Sequence, residues 1–254
     1  MVRNTFKGLS YYSNAFTMLF KHNLWMYFLV PTLASILIIL TTFKTRSGLV
    51  DRIQNWLGDV YPENWFFAEQ IGKGLSSIGG ALGEIFVWFL LIILMKHIVM
   101  VIASPFMSLL SEKVDQIVTG RKSDGFRMDK FISDLIRGLR IAVRLLIREL
   151  FWSFVIFLLS FFIPPVTAIL LFLVQAYYGG AANMDFTLER YYSYKGSVQF
   201  MKDNKGVALG NGIPYIGMLM TVFGFLIALP LSTVAATLHT LEVIHSRPEM
   251  AMVE

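Results

Sequence analysis

The 254-residue sequence contains no cysteine. Disulfides, thiolate zinc sites, iron–sulfur clusters and cysteine nucleophiles are thereby excluded. Charge is also scarce: 15% of residues are Asp, Glu, Lys or Arg, against about 25% in ordinary soluble domains. Histidine is limited to His22, His97, His239 and His245, and no two of them have the spacing of a zinc-binding pair. No Ser sits in a G-x-S-x-G elbow. Gly72-Lys73-Gly74 lacks the Ser or Thr that a phosphate loop requires after its lysine. Acids are missing from the long apolar runs, so the sequence shows no carboxylate placed for a proton relay inside them. Transport or a structural role therefore ranks ahead of catalysis, with a membrane enzyme acting on lipid third. No metal or other cofactor is expected.

Apolar residues are abundant instead. They make up 56% of the chain, and the mean hydropathy is +0.61. This excess gathers in long runs, which makes a membrane-embedded protein the working class. The net charge of +5 suits basic loops lying against anionic head groups. Nucleic acid is a poorer partner than lipid, because most of the Phe, Tyr and Trp residues lie in or beside the apolar runs.

Four runs stand out. The first, residues 22–43, holds neither charge nor glycine and as a helix reaches roughly 33 Å, enough to cross a bilayer core. Pro31 inside it is tolerable in a membrane helix. The run is too long for a signal-peptide core and no A-x-A site follows, so an uncleaved span is expected. The second, 85–111, also suffices to cross and is interrupted only by Lys96-His97. A lysine near the middle of a span costs about 2.5–3.5 kcal/mol, so Lys96 must face protein or water, or snorkel. Pairing inside an assembly is the plainer explanation, and an anion path lined by Lys96 the sharper one.

The third run, 150–184, has 35 uncharged residues divided by Pro164-Pro165. An arm from Leu150 to Ile163 is roughly 21 Å long, too short to cross, which favours a hairpin entering and leaving on one side. The fourth, 206–241, repeats the design, with Gly224 and Pro230 offering the turn and Gly210, Gly212 and Pro214 loosening its start. Six crossing helices are the alternative.

Charge distribution predicts a topology. Residues 1–23 carry Arg3, Lys7 and Lys21 with no acid, residues 44–84 hold four cations against five acids, and residues 112–149 hold nine against six. The positive-inside rule puts the N-terminus and 112–149 in the cytoplasm and 44–84 outside. Gly72, Ser76 and Gly80 in that outer segment have the spacing of close helix packing. Within 112–149, Arg137, Arg140, Arg144 and Arg148 follow one helical face. Such a basic amphipathic helix normally lies in the head-group layer; an anion-attracting vestibule is the sharper reading. His22, His239 and His245 fall at the ends of apolar runs, where an interfacial position is expected.

Several stretches together resemble the CysZ sulfate permease family of bacterial inner membranes. They are Ile102-Ala103-Ser104-Pro105-Phe106, Leu109-Leu110-Ser111-Glu112 closing on Thr119-Gly120, Arg148-Glu149-Leu150, Ile163-Pro164-Pro165, Asp185-Phe186, and Asn204-Lys205 followed by Leu209-Gly210 and Gly212. The similarity runs over roughly residues 10–242. It implies an all-α integral membrane fold of two long transmembrane helices and two re-entrant hairpins. It also implies homo-oligomers, insertion in either orientation, and a permease or channel-like role for a small anion, sulfate by family default. The family's sulfate stretch, Gly-Ile/Leu-Arg-Arg, falls here on Asn23, Leu24, Trp25 and Met26, without either arginine and with His22 and Lys21 beside it. The residues expected to meet the anion are thus His22, Asn23, Leu24, Lys96, Arg140, Arg144 and Arg148. No nucleotide motif is present, so no ATP hydrolysis by this chain is expected. The runner-up is a non-transporting membrane scaffold or envelope-biogenesis protein whose hairpins wedge one leaflet.

Overall fold

The structure, a computed structural model, describes residues 2–29, 31–33, 36–37, 40–41, 80–121, 128–159 and 164–246. Among them the chain is all-helical. In order come α1 (Val2–Lys21), a 3-10 turn (Leu24–Phe28), α2 (Gly80–Thr119) and α3 (Met128–Leu159). They are followed by α4 (Pro164–Leu188), α5 (Tyr194–Asp203), α6 (Lys205–Leu219) and α7 (Val222–Ser246). Three stretches are long and apolar enough to cross a bilayer: Ile93–Thr119, Val166–Leu188 and Leu226–Ser246.

The expected span over 22–43 is described only in part, by the 3-10 turn and the helical residues 29, 31–33, 36–37 and 40–41. Leu29, Leu33, Leu37 and Leu40 there are all exposed, as lipid-facing residues would be. The outer segment lies outside the described residues up to position 79, including Gly72 and Ser76. The second span sits within α2, a longer helix than expected. Its 40 residues reach about 60 Å and end where Gly120 takes the left-handed conformation with φ 73°. The Gly120 N–H there donates to Gln116 O at 2.9 Å, as helix C-termini commonly do.

Three features change or add to the expected plan. First, residues 2–21 form a helix, with Gly8, Ala15 and Leu19 buried on one face and Phe6, Phe16 and Phe20 exposed on the other. Secondly, the basic amphipathic segment and the first hairpin arm are one continuous helix, α3. It is 32 residues long, because no residue between Arg148 and Trp152 breaks it. Pro164 opens α4, where the missing N–H costs nothing. Thirdly, the second hairpin turns at Met220-Thr221, ahead of Gly224, with Thr221 Oγ1 accepting from Gly224 N–H at 3.1 Å. Pro230 lies inside α7 and turns nothing. The hairpin arms are therefore unequal. Only α6, at 15 residues or about 22 Å, is shorter than a bilayer core, whereas α4 and α7 have 25 each.

α4 is the central helix, packed by α2, α3, α6 and α7. Its contact with α6 is unusually close. A Cβ on Gly180 would lie 1.8 Å from Ala208 O, and one on Gly212 only 1.6 Å from Ala176 O. Gly212, expected to loosen the start of the hairpin, instead lets two backbones touch.

Candidate functional site

Among the described residues the bundle interior holds one fully buried charge pair. Lys96 on α2 donates to Glu149 Oε1 at 2.5 Å and to Gln175 Oε1 on α4 at 2.6 Å. The Lys96 and Glu149 side chains are 1% and 0% exposed. His97 Nε2 stands 3.6 Å from the other oxygen, Glu149 Oε2, while His97 Nδ1 lies 2.9 Å from Ile93 O. Ser153 follows Glu149 by four residues and so shares its face of α3. Three helices thus bring Lys96, His97, Glu149 and Gln175 together in the interior, with Ser153 one turn along α3 from Glu149.

Hydrogen bonding there is incomplete. Glu149 Oε2, Gln175 Nε2 and Ser153 Oγ are buried without a hydrogen-bond partner among the described residues. Buried polar atoms are normally satisfied, and leaving one unmade costs about 1–3 kcal/mol. Two of the three, the amide nitrogen and the hydroxyl, are donors. Ionisable groups held at such depth are costly, and where they occur they commonly mark ion or substrate routes.

A second polar seam fastens the same helices nearer the chain's α4–α5 junction. Arg190 donates through Nε to Asp115 Oδ2 at 3.1 Å and through Nη2 to Ser111 Oγ at 2.8 Å. Ser111 also meets Thr187 at 3.1 Å and Thr237 at 2.8 Å, tying α2, α4 and α7. Burial raises the Tyr191 hydroxyl above the ordinary phenol range, so it stays protonated and donates to Asp115 at 2.9 Å. Arg137 reaches Asp185 at 3.4 Å, Ser197 at 2.6 Å and Tyr192 O at 3.0 Å, fixing α3 to α4 and α5. The Arg190 clamp is well partnered, whereas the Arg137 clamp leaves Arg137 Nε and the Tyr192 hydroxyl buried without a partner among the described residues.

The remaining expected residues do not join Lys96. His22 and Asn23 are exposed at the end of α1, and Asn23 takes a left-handed conformation with φ 55°. Leu24 is buried in the core, while Trp25 and Met26 beside it are exposed. Arg140 and Arg144 both lie over the Tyr194 ring, at 5.8 and 5.7 Å from its centre. Arg144 also donates to the Tyr194 hydroxyl at 3.2 Å. Arg144 and Arg148 line a groove of about 860 Å³ between α3, α4 and α5, which Lys202 and Lys205 also line. Arg148 and Glu149 are successive residues, about 100° apart around α3, so groove and buried pair occupy different faces.

Sequence reasoning missed Glu149, Gln175 and Ser153. Glu149 stands at the edge of an apolar run, where a carboxylate passes for a boundary marker, and its partner is 53 residues away. His239 departs from its expected interfacial position: it is 1% exposed and stacked on Tyr11 of α1 at 4.9 Å. His22 and His245 are at the surface as expected. Among the described residues no group of three or more His, Asp or Glu side chains could hold a metal ion.

An all-helical bundle with three spans of sufficient length, exposed apolar flanks and a charge pair sealed inside defines a multi-pass membrane protein. Residues 11–236 match the family described as sulfate transporter CysZ/etoposide-induced protein 2.4, and the chain belongs to that family. A comparison with curated proteins finds no match.

Proposed function

We infer that this chain passes a small inorganic anion across a membrane, with sulfate, the ion in the family's description, as the first candidate. The observation that carries the reading is the buried Lys96 cluster with its uncommitted donors. An anion leaving water needs charge-assisted N–H or O–H donors, and Lys96, Gln175 Nε2 and Ser153 Oγ are such groups on three helices. Glu149 holds Lys96 neutralised at rest, and an arriving anion competes with the carboxylate for the ammonium. His22, Asn23 and Leu24 play a smaller part in this scheme. Arg140, Arg144 and Arg148 belong to the head-group-facing surface, where positive potential concentrates anions. A bacterial inner membrane, a cytoplasmic N-terminus and assembly into homo-oligomers complete the proposal.

Labelled-sulfate flux into proteoliposomes tests it. Uptake above that of empty vesicles, abolished by Lys96→Met in folded protein, supports the reading. Flux equal to empty vesicles removes sulfate as substrate, and unchanged flux in Lys96→Met removes the route. One observation favours a second reading, a leaflet-inserting scaffold: the α6–α7 turn presents Met220 and Phe223, the latter 85% exposed. In that case no anion is carried, yet the protein still remodels vesicles.

A further inference from the structure

Along α3, Arg144, Arg148, Trp152 and Ile156 follow one another at four-residue intervals and all line the 860 Å³ groove. Four-residue spacing keeps them on one helical face, and the line covers about 18 Å. It passes from two cations, through an indole, to an aliphatic side chain. The other walls carry the same two chemistries. Lys202 and Lys205 stand at one part of the lining, and Leu170, Leu173 and Val174 of α4 form an apolar part. Asp203, the one acid among the described lining residues, is held by Gln199 Nε2 at 2.9 and 3.0 Å. Four cations therefore face the groove against one engaged carboxylate.

A small anion makes use of the cations and leaves the apolar walls to water. Trp152 and Leu173 are both partly exposed there, and water against such surface is unfavourable. A ligand with a phosphate at one end and hydrocarbon at the other matches both parts. The volume is that of a ligand site, the 18 Å line is long enough for a phosphate and the first part of an acyl chain beside it, and tryptophan between charge and hydrocarbon is the usual head-group-level residue.

We propose that this groove binds one anionic phospholipid. Its phosphate sits among Arg144, Arg148, Lys202 and Lys205, and one acyl chain lies along Trp152, Ile156, Leu170 and Leu173. Arg144 is pre-oriented for this by its hydrogen bond to Tyr194. The site is separate from the buried Lys96 pair, so it stands whether or not the chain carries sulfate.

Native mass spectrometry of the full-length detergent-solubilised protein, titrated with phosphatidylglycerol or phosphatidylcholine of identical acyl chains, tests this. One phosphatidylglycerol retained per chain in preference to phosphatidylcholine is the expected result. Lys202 and Lys205 are exposed, so Lys202→Gln/Lys205→Gln does not endanger folding. That variant should bind phosphatidylglycerol roughly thirty-fold more weakly, each basic side chain near a lipid surface contributing about five-fold. Leu173→Ser should weaken the same lipid through its acyl chain. Equal retention of the two lipids overturns the proposal, as does undiminished phosphatidylglycerol binding in the double lysine variant. Displacement of the lipid by millimolar inorganic phosphate or sulfate assigns the groove to a free anion instead.

Discussion

Lys96 and Glu149, 53 residues apart in sequence, meet at 2.5 Å with neither side chain more than 1% exposed. Removing one member of such a pair leaves the other buried and uncompensated, at a cost of about 3–5 kcal/mol. Lys96→Met and Glu149→Gln should each lower the unfolding midpoint in detergent. Combining Lys96→Met with Glu149→Leu should recover most of that loss, since apolar replacement of both partners is often neutral. Flux should stay absent in the double variant. Recovered flux alongside recovered stability would assign the pair a purely structural role.

The α4–α6 contact gives a steric prediction with an internal control. Gly212→Ala drives a Cβ to 1.6 Å from Ala176 O, so the helices must separate. Size-exclusion chromatography should show aggregated or unfolded protein. Gly217 on the same helix has nothing within 4 Å of its would-be Cβ. Gly217→Ala should therefore raise stability by up to about 1 kcal/mol, the helix-propensity difference.

The depth of the α6–α7 turn is measurable because the chain has no native cysteine. A spin label on Phe223→Cys should be accessible to oxygen and shielded from a water-soluble nickel chelate. That result, combined with α6 at about 22 Å, places the turn inside the hydrocarbon layer. The reverse accessibility would put the turn in water and make α7 a complete crossing.

The charge distribution predicts an orientation. Asn64→Cys and Ser123→Cys, probed with an impermeant thiol reagent on sealed cells, should label from opposite faces, Asn64→Cys from outside. Equal labelling of both positions from outside would mean that copies insert both ways.

The apolar runs made the helices legible, because a stretch without charge longer than a bilayer core has few other uses. Pro164 marked its break correctly, since proline at a helix start is favoured by its own geometry. The ordered motifs also carried the family, from Pro105-Phe106 to Gly212. Charges used as punctuation hid as much as they revealed. Residues 2–21 entered the reading only through the charges of Arg3, Lys7 and Lys21, although Gly8, Ala15 and Leu19 lie on one buried face. Arg148-Glu149 read as the boundary of a hairpin, although α3 continues through it. The pairing of Glu149 with Lys96 and Gln175 depends on how three helices pack, and no local pattern encodes that. His239 was misplaced for the same reason, its burial being set by Tyr11 in a helix more than two hundred positions earlier.

The backbone contacts of Gly180 with Ala208 and of Gly212 with Ala176 also limit how the molecule can move. With no side chains between them to change rotamer, α4 and α6 cannot roll or slide past each other without carbonyl oxygens colliding. The glycine contacts lock α4 and α6 into a single stiff unit. If the chain carries an anion as proposed, the opening must come from displacement of α2 or α3 against that unit.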